Sequence, residues 1–127
     1  IVADMEDERT QHRLARAPHA DFRPRPPILR AEPGVEGVLL NWSRSVHLLL
    51  AKQLAEAGAC FDIATVENVG GVENLIRQIS ADRVVFGSHA PVFYFESAML
   101  KLQESALAAD VRQAVCSGNA ARLLSPR

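Results

Sequence analysis

The sequence predicts an α/β domain built on a parallel β-sheet, and two observations lead to that class. Strand-like and helix-like segments alternate four times along the 127 residues. The strand-like segments are continuous apolar runs, which is typical of parallel strands that are covered on both faces. Turn-forming residues separate these segments, so the local signals agree with the periodic ones.

Four short apolar runs are the predicted strands. They are residues 1–5, 35–40, 60–65 and 83–86. The last run contains Val84, Val85 and Phe86, which are β-branched or aromatic and therefore favour a strand. Asp62 is unusual within the third run, because a carboxylate in a buried strand needs hydrogen-bonding partners.

Amphipathic segments between and after these runs are the predicted helices. They are residues 44–57, 72–79, 95–104 and 109–116, with a further short helix at 28–32. Ser43 is a suitable N-cap for the first of them, and Gly58 suits the position just after its end. The last helix is predicted to end at Gly118, where Asn119 caps a final helical turn.

The composition is that of an ordinary globular protein and excludes several partners. The formal net charge is −1, so no overall field attracts nucleic acid or anionic lipid. No apolar run approaches the roughly 20 residues that a membrane-spanning helix requires. Cys60 and Cys116 have no metal-type spacing and are interpreted as small core residues in a reducing cytosol. These features predict a cytoplasmic protein without a membrane or nucleic-acid partner.

His89 is the candidate catalytic residue. It follows the fourth strand directly, and Pro91 prevents that strand from continuing. The carboxyl ends of parallel strands are where α/β proteins place reactive groups. An imidazole there can act as a general base near neutral pH or bind a metal. The alternative is a turn histidine, and the aromatic residues 93–95 are either a lid over this loop or simple packing.

Polar residues after the first two strands are the candidate substrate-binding groups. Asn41 follows the second strand, and its amide could hold a carbonyl or carboxylate; the alternative is a turn residue. Glu6, Arg9 and His12 follow the first strand, and Arg9 could pair with an anionic substrate through two hydrogen bonds. The alternative for these three is a solvated loop. No metal ligand is assigned.

Two motifs in the last third of the chain resemble a known family. Residues 83–88 read RVVFGS and are followed by Ala90-Pro91, an amphipathic helix, and GNAARLL at residues 118–124. This pattern resembles the carboxyl end of the amidohydrolase-related (amidohydrolase 2 type) family of metal-dependent hydrolases. In that family the eighth strand ends in FGSD-x-P and the last helix carries GNA-x-R-L.

The resemblance implies a TIM (β/α)8 barrel, of which residues 1–127 would be strands five to eight with the terminal helices. The chain would then be a single domain or half-domain. It implies a hydrolase or decarboxylase acting on a small carboxylate, amide or lactone by activated water or general-base chemistry. The alternative is a non-catalytic fragment or small-anion-binding module that has lost the family's metal site. Helix amino-termini near Gly70-Gly71 or Ser88 would hold the anion.

Three departures from the family pattern concern the metal. His89 stands where the family has an aspartate, and Asn41 stands where it usually has a histidine. The H-x-H pair of the family's first strand is absent from this chain. A divalent metal such as zinc is therefore implied by the resemblance, while most of its usual ligands are missing here.

A half-barrel also implies a partner. One face of the sheet, lined by Val38, Leu40 and Val85, is expected to lie open to water in the isolated chain. An amino-terminal half or a second copy in a homodimer is expected to cover it.

Overall fold

A parallel sheet of four strands organises the part of the chain that the structure describes. The computed structural model describes residues 2–4, 37–42 and 48–125. The strands are β1 (Val2–Asp4), β2 (Gly37–Leu40), β3 (Ala59–Asp62) and β4 (Val84–Val85). They lie in the order β1-β2-β3-β4, and every neighbouring pair is parallel. The predicted α/β class with parallel strands in chain order is confirmed.

Helices connect and follow these strands. They are α1 (Leu48–Glu56), α2 (Gly71–Ile79), α3 (Phe95–Glu104), α4 (Ala109–Gln113) and α5 (Asn119–Leu124). A 3₁₀ turn (Ala81–Arg83) leads into β4, and a π-helical turn (Ala114–Gly118) joins α4 to α5. Because α1 lies between β2 and β3, and α2 between β3 and β4, both connections are the crossovers that parallel strands require.

One face of the sheet packs against the helices. Leu39 pairs with Phe61, and Phe61 pairs with Val84, so alternation places these three side chains on the same face. All three belong to the buried core cluster. Their helical partners in that cluster are Ala51 and Leu54 of α1, Val72, Leu75 and Ile79 of α2, and Leu102 of α3. Burying each large side chain stabilises the fold by roughly 1.5–3 kcal/mol.

The opposite face carries Val38, Leu40, Cys60, Asp62 and Val85. The expectation of an open face is only partly met, since Val38 and Leu40 are half-buried in the single chain. For Val85 the expectation is wrong, because its side chain is buried. Cys60 and Asp62 are buried as well, so the central part of this face is already enclosed.

Several predicted boundaries differ from the observed ones. The third strand ends at Asp62 and not at residue 65, although residues 63–66 remain buried. The fourth strand is limited to Val84–Val85, since Arg83 belongs to the 3₁₀ turn before it and Phe86 lies just after its end. The predicted helices at 72–79 and 95–104 match α2 and α3 to within one residue.

Gly58 has the left-handed backbone predicted for the residue after a helix, with φ 102°. Some predictions fall outside the described residues. They are the short helix at 28–32, the Ser43 cap, and the loop with Glu6, Arg9 and His12.

The end of the chain corrects one prediction. Gly118 (φ −59°, ψ −47°) and Asn119 (φ −66°, ψ −41°) are both helical, so the helix does not end at Gly118 and Asn119 does not cap a new turn. The Asn119 side chain is instead only 6% exposed, and its Nδ2 donates to the carbonyls of Ala81 and Val84, each at 2.7 Å. This asparagine therefore attaches α5 to the backbone on either side of the entry to β4.

The two cysteines differ in environment. Cys60 is buried, as predicted, and burial raises the pKa of its thiol despite the opposing influence of Arg83. The prediction for Cys116 is wrong, because its side chain is exposed on the π-helical turn. Among the described residues, no helix combines the length and apolar character needed to cross a membrane.

Replacing Asn119 with alanine is expected to lower the free energy of unfolding by about 2 kcal/mol or more, since two carbonyls lose a donor. The matched control is Gln113→Ala, which removes an exposed side-chain hydrogen bond to Ser117. The control is expected to change the free energy of unfolding by no more than about 0.5 kcal/mol. Urea unfolding of both variants measures the difference, and equal stabilities would contradict the role of Asn119.

Candidate functional site

The candidate site lies at the carboxyl edge of the sheet, where three chain segments converge. Asn41 directly follows β2, Asp62 is the last residue of β3, and His89 lies in the loop after β4. Since all strands are parallel, these positions share one edge. Thr65, three residues after the end of β3, is buried in the connection between β3 and α2.

Asp62 holds the backbone at the end of the neighbouring strand. Its side chain is only 2% exposed, and Oδ1 accepts the backbone N–H of Asn41 at 3.0 Å. Its backbone carbonyl accepts the indole N–H of Trp42 at 2.8 Å. The Trp42 ring in turn meets the edge of Phe61, with ring centroids 4.9 Å apart. The Asn41 N–H is a hydrogen-bonding partner of the kind that a carboxylate in a buried strand requires.

Gly87 provides the space for the Asp62 carboxylate. A Cβ atom at this glycine would lie 2.6 Å from Oδ2 and 2.8 Å from Cβ of Asp62. Such distances are well inside ordinary van der Waals contact, so a side chain would displace the carboxylate. The glycine of the FGS segment is thus required by the close approach of the β4 exit to the end of β3.

Asn41 and His89 are in direct side-chain contact. The distance between Asn41 Nδ2 and His89 Nδ1 is 2.5 Å. Both residues have left-handed backbones, with φ 54° at Asn41 and 55° at His89. Asparagine and histidine are among the residues that occupy this region most often, although it still costs about 1–2 kcal/mol per residue. Strained positions of this kind cluster at functional sites.

The aromatic segment after His89 divides into packing and exposed residues. Phe93 meets the His89 ring edge to face at 5.3 Å, and its N–H donates to the His89 carbonyl at 3.1 Å. Phe95 packs against Phe86 at 5.5 Å. Tyr94 is 85% exposed. Phe93 and Phe95 thus make ring contacts with their neighbours, while Tyr94 and about half of the Phe95 side chain are exposed to solvent.

Lys101 of α3 attaches this helix to the loop that follows β3. Its Nζ donates to the carbonyls of Ile63 and Ala64, each at 2.9 Å. Burial lowers the pKa of Lys101, while the negative charges of Glu67 and Asp62 oppose that change. No sequence signal identifies backbone carbonyls as the partners of a lysine.

The described residues do not by themselves fit a metal site. They contain no group of three or more histidine, cysteine, aspartate or glutamate side chains arranged to hold a metal ion. Asp62 Oδ1 and His89 Nδ1 are each engaged with Asn41. Glu6, Arg9 and His12, predicted to bind substrate, lie outside the described residues.

One solved structure supports a shared fold. The chain is similar to 5-carboxyvanillate decarboxylase LigW from Sphingomonas paucimobilis, with a TM-score of 0.56 and 15% sequence identity. The match covers 69% of this chain and 33% of that chain, so the chain spans about a third of the length of that protein. No protein-family model and no curated protein matches the sequence. At this identity the likeness concerns the fold alone.

Replacing Gly87 with alanine is expected to destabilise the protein by about 1–3 kcal/mol, because the added methyl group collides with Asp62. Gly118→Ala is the matched control, since a Cβ atom there would come no closer than 3.7 Å to the nearest atom. Because Gly118 has a helical backbone, the control is expected to raise the free energy of unfolding by about 0.4–1 kcal/mol. Chemical denaturation measures both variants. A Gly87→Ala variant as stable as the unmodified protein would contradict the packing argument.

Proposed function

We propose that this chain is the carboxyl-terminal half of an amidohydrolase-related (β/α)8 barrel enzyme. The enzyme is a hydrolase or decarboxylase that acts on a small carboxylate, amide or lactone. The observation that carries the proposal is the contact between Asn41 and His89 at the carboxyl edge of a parallel sheet, where the buried Asp62 carboxylate holds the Asn41 backbone. That edge is where barrel enzymes place their catalytic residues.

The structural comparison is consistent with the proposed class of enzyme. The neighbour of similar fold is a decarboxylase, and decarboxylation is one of the two reaction classes that the resemblance implies. The FGS and GNA segments also have structural roles that suit a barrel. Gly87 admits Asp62 to the site, and Asn119 attaches the last helix to β4.

Each candidate residue has a proposed role. His89 exchanges a proton or a hydrogen bond with the reacting group. Asn41, Glu6, Arg9 and His12 contribute to substrate binding. The divalent metal implied by the resemblance, such as zinc, would need ligands from beyond the described residues.

A non-catalytic anion-binding module is less well supported. The amino-terminus of α2 at Gly70-Gly71 has no side-chain cap, which would suit an anion. However, Glu73 lies in the first turn of that helix, and its negative charge opposes a bound anion at the same end.

The proposal is tested on the whole protein with a panel of small carboxylates, amides and lactones. Carbon dioxide release and hydrolysis are the two readouts. For any substrate that is turned over, His89→Ala is expected to lower the rate by on the order of 10²-fold or more. Gln113→Ala, an exposed change on α4, should leave the rate unaltered. An unchanged rate in the His89 variant would remove His89 from the mechanism.

A partner that completes the barrel is the second part of the proposal. Leu49 of α1 is 71% exposed and Leu48 is also exposed, so apolar surface remains uncovered among the described residues. Burying such surface contributes roughly 25 cal/mol per Å². Either an amino-terminal half or a second copy of the chain would supply the cover.

Light scattering on the 127-residue chain tests this second part. Light scattering is expected to show a dimer. If the chain is monomeric, chemical denaturation is expected to show no cooperative unfolding transition. A soluble monomer with a single cooperative unfolding transition would show that no partner is needed.

A further inference from the structure

The outer edge of β4 is covered by helical segments of the same chain. β4 is the last strand in the order of the described strands, and β3 pairs with its inner edge. The Phe86 N–H donates to the Val115 carbonyl at 2.9 Å, and the Val84 N–H donates to the Ala81 carbonyl. Residues two apart in a strand direct their backbone groups to the same edge. Since neither acceptor belongs to β3, these hydrogen bonds lie on the outer edge.

Asn119 engages the same edge with its side chain. Its Nδ2 donates to the carbonyls of Val84 and Ala81, each at 2.7 Å. A carbonyl oxygen only accepts hydrogen bonds, so these two contacts fix which end of the amide faces the strand. Val115 is fully buried and Asn119 is 6% exposed. These two residues therefore occupy the place at which a further strand would pair with β4.

Few other buried residues hold the segment that carries Val115 and Asn119. This segment, residues 109–124, comprises α4, the π-helical turn and α5, and is called the cover below. No residue of α4 is buried, Val115 is the buried residue of the π-helical turn, and Asn119 is that of α5. Segments that bury little surface open at a lower cost in free energy than the core does. The cover can therefore leave β4 while the sheet remains folded.

Barrel closure indicates what takes the place of the cover. A closed barrel of this class has eight strands and no free strand edge. One chain supplies four parallel strands, with β1 (Val2–Asp4) and β4 at the two ends of their order. Two copies related by a twofold axis supply all eight strands, and each β4 then meets the β1 of the other copy.

We propose that the cover competes with β1 of a second copy for the outer edge of β4. In the single chain the cover occupies this edge, and in the dimer β1 of the other copy replaces it. The proposal rests on the barrel of the proposed function. It goes further by choosing the second copy as the partner, by naming the two strands that pair, and by assigning the carboxyl-terminal helices a role in controlling assembly.

Hydrogen exchange in the unmodified 127-residue chain tests the cover itself. The Phe86 amide is followed by NMR. Because its N–H donates to the Val115 carbonyl, this amide is expected to exchange more slowly than in an unstructured peptide, by roughly tenfold or more. A Phe86 amide that exchanges at the rate of an unstructured peptide would overturn the inference, and this result does not depend on any variant.

Asn119→Ala weakens the cover without changing a strand. The lost hydrogen bonds destabilise the covered monomer and not the paired dimer, so the variant is expected to dimerise more tightly than the unmodified chain, by roughly tenfold or more. Gln113→Ala, an exposed change on α4, is the control and should leave the dimerisation constant unaltered. Light scattering over a dilution series measures the constants. Unchanged or weaker dimerisation of the folded Asn119 variant would contradict the competition.

Exchange at Phe86 also locates the interface. In Asn119→Ala this amide is expected to exchange more slowly as the dimer forms, by roughly tenfold or more, because β1 of the other copy pairs with β4. Equal rates in monomer and dimer would place the interface elsewhere and overturn the inference.

The same measurements separate this inference from the proposed function. An unmodified chain that is a cooperatively unfolding monomer, with a dimeric variant that protects Phe86, would support the competition and contradict the need for a partner. If the dimer forms through β4 but no substrate is turned over, the inference stands and the proposed enzymatic function fails.

Discussion

The buried carboxylate of Asp62 is the interaction on which the candidate site depends. A buried carboxylate carries a large desolvation cost unless hydrogen bonds offset it. One of those bonds goes to the backbone of Asn41, which ties the end of β3 to the residue that leaves β2. The carbonyl of the same residue holds Trp42, so a single position organises the exit of the neighbouring strand.

The segments around Asp62 make room for its carboxylate and hold the end of β3 in place. Gly87 lacks a side chain at the point where β4 passes the carboxylate, because a methyl group would overlap it. Lys101 brings α3 onto the carbonyls of the two residues that follow β3. The elements on either side of β3 are thereby fixed relative to Asp62. The left-handed backbones of Asn41 and His89 are maintained in this setting although each has a conformational cost.

The core and the site are built from alternate residues of the same strands. Leu39, Phe61 and Val84 face the helices and supply much of the hydrophobic stabilisation. Cys60 and Asp62 alternate with them and face the other side of the sheet. A shift of one residue in the register would exchange the two sets, so the packing of the core also decides where the carboxylate points.

The sequence by itself determined the class of the fold and the edge at which the site lies. Continuous apolar runs, helical periodicity and turn residues are local signals, and they predicted parallel strands, α2, α3, and the places of Asn41 and His89 after their strands. Only the tertiary structure decided which side chains meet. Asn41 and His89 are 48 residues apart, and their contact depends on the order and register of β2, β3 and β4. The same reason explains why the predictions for Asn119 and Cys116 were wrong and why the partners of Lys101 could not be predicted. Partners such as the carbonyl of Val84, and the exposure of a thiol, are set by distant segments that no local pattern encodes.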